Sequence, residues 1–431
     1  MSTFRETTLP NGLRIAAEID PRGYSASFGY FVRTGSRDET DRESGVSHFL
    51  EHMMFKGTAR RTAADVNREL DELGGNSNAF TSEEQTVYYA TVLPKYQDRI
   101  IDLLTDMLRP TLTQGDFDTE RKVVLEEIAK YEDQPPFGAF ERVMERHFSP
   151  RGLGRRVLGT AESIAQMDRQ TMYDYFTRRY TPANMVLAAA GNVDFDGLVD
   201  LTERMTADWD SLVAADEPPA DDGTQLPIGI RTDAVIASPD AAQAYLVRIS
   251  PAPHGNDPDR YAARLLASIL GDESGSRLFW ELIDTGLAES CSMWTQEFLD
   301  AGALFTMLVC HPDDLVSNRR LVDELINQFL TDVVTAEELA QAVNKATAGC
   351  IMSNERPSNR MFGVGSGWQL RGEYVDLDTV LQRYRSVTVE DIHRVAQSYL
   401  TIRPTETLAT AEASELAEEL AQDTGLPAAG G

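Results

Sequence analysis

The chain has 431 residues, 42% of them hydrophobic and 25% charged, with a formal net charge of −29. That length exceeds one ordinary core and predicts at least two domains. The negative charge repels phosphate and argues against a nucleic-acid partner. No apolar run reaches the roughly 18 residues of a membrane span. The opening Met1–Glu6 has no apolar secretory stretch and turns acidic early for an organellar leader. The three cysteines, Cys291, Cys310 and Cys350, are scattered and odd in number, which fits a reducing cytoplasm better than a disulfide scaffold.

In chain order, the start reads as a strand, a turn at Pro10-Asn11-Gly12 and a second strand through Leu13–Glu18. An apolar strand follows over Ala26–Val32, then a charged loop over Arg37–Glu43 and a helix from about Gly45 to Phe55. Thr62–Leu73 has helical periodicity and stops at Gly74-Gly75. Val87–Val92 reads as a strand, and Asp98–Leu108 as a helix ending before Pro110. A longer helix begins near Thr113, with Asp116 as capping partner, runs through Tyr131 and is closed by Pro135-Pro136. Glu162–Tyr180 is mainly helical, and Asn184–Ala190 is an apolar strand.

The polar, proline-containing stretch within 214–226 is the best linker. It separates an N-terminal domain (1–213) from a C-terminal one (227–411), with an acidic tail over 412–431 expected to fray. The halves echo each other. A strand, a charged loop and a helix recur as Ala244–Ile249, a Pro/His/Asp loop and Arg260–Leu270.

Residues 48–52 read His-Phe-Leu-Glu-His. On a helix, the two imidazoles project from one face a turn apart and can share a metal ion, with Glu51 beside them. That order is the inverted form of the common zinc-peptidase helix. A catalytic zinc keeps three protein ligands and an open position. The other four histidines are isolated, so the third ligand is expected to be a carboxylate. The helix from Asp116 to Tyr131 offers Glu120, Glu126 and Glu127. Glu120 and Glu127 are two turns apart on one face, and Glu126 points about 100° away. One of that pair could bind the ion while the other orients a ligand.

The stretch from Gly35-Ser36-Arg37-Asp38-Glu39 through Gly45-Val46-Ser47-His48-Phe49-Leu50-Glu51-His52-Met53-Met54-Phe55-Lys56-Gly57-Thr58 resembles the signature of the pitrilysin (M16) metallopeptidases. Within that family it is most similar to the mitochondrial-processing-peptidase-like branch and its bacterial relatives. The resemblance implies an α+β chain of two similar domains, each a mainly antiparallel sheet packed with helices. It implies one Zn2+ per chain, held by His48, His52 and Glu127, with Glu51 as general base and Glu120 as accessory glutamate. It extends to Gly74-Gly75-Asn76-Ser77-Asn78-Ala79-Phe80-Thr81, a region that in the family holds an extended peptide. Asn76, Asn78, Ala79 and Phe80 are thereby candidate substrate contacts, and the strand after Thr81 is expected to take the peptide backbone by strand addition.

Gly275-Ser276-Arg277-Leu278-Phe279 and Gly286-Leu287-Ala288 extend the likeness into the second half, with Arg277 a candidate substrate-binding residue. One departure stands out: a tyrosine often follows Gly-Leu-Ala in the family, and here Glu289 stands there. Tyr245, Arg277, Arg360 and Tyr374 are possible replacements. The expected function is a cytoplasmic zinc endopeptidase hydrolysing peptides or unfolded polypeptide in a chamber built by two chains, as a homodimer or with a related chain. The alternatives are a non-catalytic subunit of such an assembly and a non-haem iron oxygenase, whose facial triad also uses two histidines and a carboxylate.

Overall fold

The computed structural model describes residues 2–132, 134–149, 152–209, 234–237, 242–332 and 334–410. The expected linker at 214–226 and the tail at 412–431 lie outside the described residues. The fold is α+β, with two compact units. One takes Met1–Ala129, Pro150–Gly223 and Cys350–Leu377, and the other Lys130–Ser149, Thr224–Gly349 and Asp378–Gly431. Neither unit is contiguous, unlike the simple halves expected at 1–213 and 227–411.

The chain begins with β1 (Thr3–Thr8), β2 (Arg14–Ile19) and β3 (Ala26–Val32), followed by α1 (Val46–Met53) and α2 (Ala63–Leu73). Then come β4 (Asn76–Thr81), β5 (Thr86–Val92), α3 (Gln97–Met107), α4 (Gln114–Glu132) and α5 (Pro135–Phe148). Next are α6 (Ala161–Gln166), α7 (Arg169–Arg179), β6 (Met185–Gly191) and α8 (Phe195–Met205). The remainder gives β7 (Ala234–Ala237), β8 (Ala244–Pro251), α9 (Arg260–Gly271), β9 (Ser290–Glu297) and β10 (Gly302–Cys310). It closes with α10 (Leu315–Thr331), α11 (Ala336–Asn354), α12 (Pro357–Arg371), α13 (Leu377–Arg385), α14 (Val389–Tyr399) and β11 (Thr405–Thr410).

Local chemistry explains most boundaries. The β1–β2 turn closes because Asn11 accepts the Leu13 N–H at 3.0 Å and Gly12 takes a φ of +92°. Gly74 ends α2 in the left-handed region, as its lack of a Cβ permits. Thr113 and Asp116 cap α4 reciprocally, the Asp116 N–H donating to the Thr113 hydroxyl at 3.2 Å. Two expectations change. The helix expected over Glu162–Tyr180 is two helices, because Asp168 leaves the helical path and accepts the Thr171 N–H at 2.7 Å to start α7. Pro135-Pro136 do more than close α4: they open α5, whose first turn needs no proline N–H.

The first unit's sheet runs β1-β2-β6-β3-β5-β4, with β4 at an edge. All pairs are antiparallel except β2 with β6. Every residue of β3 and β6 is buried, because both faces are covered. One face carries the larger core, with Phe28 and Tyr30 of β3, Phe49 and Leu50 of α1, and Ile100 and Leu104 of α3. The other face packs Phe31, Val87 and Ala188 against Met361 and Val364 of α12. That approach is close enough to require glycine: a Cβ at Gly365 would lie 2.3 Å from the Phe31 ring.

The second unit's sheet runs β7-β11-β8-β10-β9. This is the order β2-β6-β3-β5-β4 repeated, with the parallel pair again at the start. The duplication echoed in the sequence is therefore topological, strand for strand. Each sheet also has a face covered by a helix from the other half of the chain, α12 for the first and α5 for the second. In the second unit, Arg248 is buried in ion pairs to Glu406 and to Asp323 (2.7 Å), and Arg319 also pairs with Glu406 at 2.9 Å. These pairs compensate charges that could not be buried alone.

On α5, His147 meets the Thr405 hydroxyl of β11 at 3.1 Å. Burial holds its imidazole down to about 4. A base with a lowered folded pKa leaves the fold most stable above its unfolded pKa, and that stability is lost progressively as pH falls from the unfolded value of 6.5 toward the folded value of about 4. Between pH 7 and pH 5 this group should cost the wild type about 2 kcal/mol. Denaturant unfolding of wild type and His147→Gln at both pH values should show that extra loss in the wild type alone.

Candidate metal centre

α1 is short and held at both ends. Its N-cap, Gly45, sits at φ +88°, where a Cβ would meet the Leu158 carbonyl oxygen at 2.6 Å. Glu39, fully buried, accepts the Gly45 N–H at 2.7 Å and the Ser47 N–H at 2.8 Å, one on each carboxylate oxygen. Burial pushes this carboxyl up to about 8, against the two N–H bonds that favour its ionised form. Val46, Phe49, Leu50 and Met53 anchor α1 in the larger core, leaving His48, Glu51 and His52 to face α4.

On α4, Phe117, Glu120, Val124 and Ile128 form the buried stripe. Glu127 is half-buried beside it, while Glu126 is exposed. Phe49 and Phe117 stack with ring centroids 4.8 Å apart, joining the two helices. The Glu127 carboxylate then lies 3.7 Å from His48 Nε2 and 3.4 Å from His52 Nε2. One donor atom from each of the three residues lies within 4.8 Å of the others. Among the described residues, this is the one group of His, Cys, Asp and Glu so arranged. Two imidazoles and a carboxylate match the donor set of catalytic zinc sites, so the residues present fit the ion the sequence implied.

The surrounding charges prepare the donors. Burial, with His52 alongside, holds His48 down to about 3, so at neutral pH a ring lone pair is free for a metal. Burial opposes the charged form of His52, but its hydrogen bond to Glu120 and the nearby Glu127 and Glu51 carboxylates outweigh that and raise it. His52 Nδ1 lies 3.0 Å from Glu120 Oε1. A carboxylate there accepts Nδ1–H and leaves Nε2 facing Glu127. Burial works against an ionised Glu120, yet bonds to His52 and Lys56 bring its pKa below the usual range. Glu51 moves the other way: burial raises it, despite a 2.6 Å hydrogen bond from the Thr81 hydroxyl.

The expected substrate residues divide between the two faces of β4. Ala79 is buried in the core shared with α1, and Thr81, two residues on, reaches Glu51 from that face. Asn76, Asn78 and Phe80 alternate to the opposite face, where the Phe80 ring lies 5.9 Å from Phe362 of α12. Asn78 also accepts the Ala79 N–H at 2.9 Å. The expectation that the strand after Thr81 takes the peptide is corrected. That strand, β5, is paired on both sides by β3 and β4, and the open edge belongs to β4 itself.

In the second half, the Arg277 guanidinium is committed to Glu338 at 2.8 and 3.1 Å. Arg360 and Tyr374 both turn to Glu18, at 3.4 and 3.0 Å, on the α12 face of the first sheet. The sheet separates them from α1, so neither completes this centre. Tyr245 donates to Gln243, which also bonds Glu289. The side chains to which no role was given from sequence are Glu39, Lys56 and Thr81. The first two needed the fold, whereas Thr81 shares the period-2 face of Ala79 and was within reach.

Two histidines and a glutamate on facing helices, with a hydrogen-bonded acid beside them, define a metallopeptidase-type centre. The M16 family model described as insulinase matches residues 14–161, and that described as the M16 inactive domain matches 166–346. A Mycobacterium tuberculosis protein named uncharacterized zinc protease is 35% identical over 401 residues, covering 93% of this chain and 91% of the relative. An Arabidopsis thaliana protein named as a probable mitochondrial-processing peptidase subunit beta is 29% identical over 418 residues, covering 92% and 76%. The crystal structure of a protease from Helicobacter pylori superposes with a TM-score of 0.85 at 21% identity, covering 95% of this chain and 100% of that one. The chain belongs to peptidase family M16.

Replacing Glu39 by Ala removes the acceptor for two buried N–H groups at the start of α1. The Glu39→Ala variant should lose about 1–3 kcal/mol of stability, read as a lower unfolding midpoint.

Proposed function

We propose that this chain is a zinc endopeptidase acting on peptides or unfolded polypeptide, with one ion per chain held by His48, His52 and Glu127. The observation that carries the reading is the convergence of those three donors beside Glu51, which leaves a carboxylate of raised pKa next to the expected water position. A bound zinc supplies a more acidic water and polarises the scissile carbonyl. Glu51 takes the proton from the attacking water and returns it to the leaving amine. Thr81 holds Glu51 through one carboxylate oxygen, leaving the other for that proton. Glu120 keeps the His52 ring aimed.

The substrate backbone joins the edge of β4, the outermost strand of the first sheet. Strand addition reads an extended backbone more than particular side chains. The acidic charge of the chain favours cationic segments. The reading includes a two-chain chamber, as a homodimer or with a related subunit, supported by a relative named as a subunit. It also includes a cytoplasmic setting, supported by the scattered and odd-numbered Cys291, Cys310 and Cys350. Among the described residues no helix is long and apolar enough to cross a membrane.

A non-catalytic subunit is the second reading, and the specific observation behind it is Glu289 in place of the family tyrosine. Glu51→Gln separates the two. The variant should keep its zinc by elemental analysis and lose peptide hydrolysis by more than about a thousandfold. A wild type that holds zinc yet shows no chelator-sensitive cleavage of a mixed peptide library establishes the second reading instead.

The contact from β4 makes its own prediction. Thr81→Val should lower kcat roughly tenfold or more with little change in KM, because misaiming a catalytic group acts on the transition state. Thr81→Ser should recover most of the rate in the same steady-state assay.

A further inference from the structure

α1 ends at Met53, and the chain turns back on itself, the Lys56 N–H donating to the Met53 carbonyl at 3.1 Å. The turn carries the Lys56 side chain over α4, where Nζ lies 2.5 Å from Glu120 Oε2. The other oxygen of the same carboxylate, Oε1, is 3.0 Å from His52 Nδ1. Glu120 is therefore held from both sides, by an ammonium and by the ring of a ligand candidate. Its side chain is only 5% exposed, whereas that of Lys56 is 34% exposed.

The charges explain why that ammonium is needed. Glu51, Glu120 and Glu127 bring three carboxylates to a centre whose two imidazoles are neutral ligands when they bind metal. A divalent cation balances two of these charges, and an uncompensated third would be costly at this depth. Lys56 supplies the missing positive charge at Glu120, the carboxylate that touches the His52 ring without itself belonging to the donor cluster. By occupying Oε2 it also leaves Oε1 to the His52 ring, which keeps His52 Nε2 turned to Glu127 at 3.4 Å.

We propose that Lys56 is a positioning residue that sets the affinity of this centre for its divalent cation, acting through Glu120 on the orientation of His52. The proposal rests on the metal site described above and concerns binding of the ion rather than catalysis. The contacts that carry it are Lys56 to Glu120 and Glu120 to His52.

The test is zinc titration of the full-length metal-free protein against a competing chelator, for five proteins: wild type, Lys56→Met, Lys56→Arg, Glu120→Gln and the double variant Lys56→Met/Glu120→Gln. Lys56→Met should bind zinc roughly 10-fold more weakly, the low end of the range for disturbing the partner of a ligand. Lys56→Arg, which keeps the charge, should regain most of that loss. The double variant should be no weaker than Glu120→Gln alone, since a residue acting through another adds nothing once the other is changed.

Thermal unfolding of the metal-free proteins completes the test. A midpoint lowered in Lys56→Met, where the buried Glu120 carboxylate loses its counter-charge, and restored in Lys56→Arg supports the proposal. A lowered midpoint that Lys56→Arg does not restore overturns it in favour of a plain structural role. Wild-type affinity in Lys56→Met, or fully additive losses in the double variant, also overturns it while leaving the zinc reading intact. A wild type that binds no zinc ends the zinc reading, and this proposal with it.

Discussion

Everything at the metal centre depends on one apolar contact, the stack of Phe49 on Phe117. Phe49 is the neighbour of His48 on α1, and Phe117 lies one turn before Glu120 on α4. Burying these rings stabilises the helix pair, since aromatic side chains contribute strongly to core energetics, and it sets the separation at which Glu127 meets both imidazoles. The polar groups alone would not assemble. Three carboxylates repel one another, and burial penalises each of them. The core supplies the free energy that holds such a cluster together before any ion arrives.

The paired sheets show how one architecture carries two different interiors. The strand order β2-β6-β3-β5-β4 recurs as β7-β11-β8-β10-β9, and a 19-residue helix, α4 or α11, occurs at the same point of each repeat. In the first unit, α4 faces α1 with its acids aimed at two histidines. In the second, α9 and α11 line a cavity of about 210 Å3 with Ser276, Arg277, Glu338 and Lys345. There Arg277 pairs with Glu338, and Lys345 with Asp272. Opposite charges neutralise one another there, whereas the candidate centre between α1 and α4 gathers three carboxylates around two imidazoles and one lysine. A fold can thus be duplicated while the chemistry stays in one copy.

Much of this was legible along the chain. The 3.6-residue period of α4 already placed Glu120 and Glu127 on one face and turned Glu126 to solvent, because helical geometry is local. The turns at Asn11-Gly12 and Gly74 follow from side-chain and backbone chemistry within a few residues. The likeness to M16 peptidases carried the zinc set. Less was legible where a strand's role depends on its neighbours. β5 and β4 are both short and alternating, and only pairing shows that β5 is interior and β4 is the edge. Arg277, Arg360 and Tyr374 looked alike as candidates from sequence, and the acids they meet, Glu338 and Glu18, are remote in the chain.

By itself the sequence determined the spacing of the donors on each helix, the breaks between elements and the doubled pattern, all of which depend on periods and turns of a few residues. Only the tertiary structure decided which carboxylate touches which ring, that Lys56 and Thr81 attend Glu120 and Glu51, and that β4 lies open. Those pairings join residues tens of positions apart, and packing between helices and strands, rather than any local preference, brings them within hydrogen-bond reach.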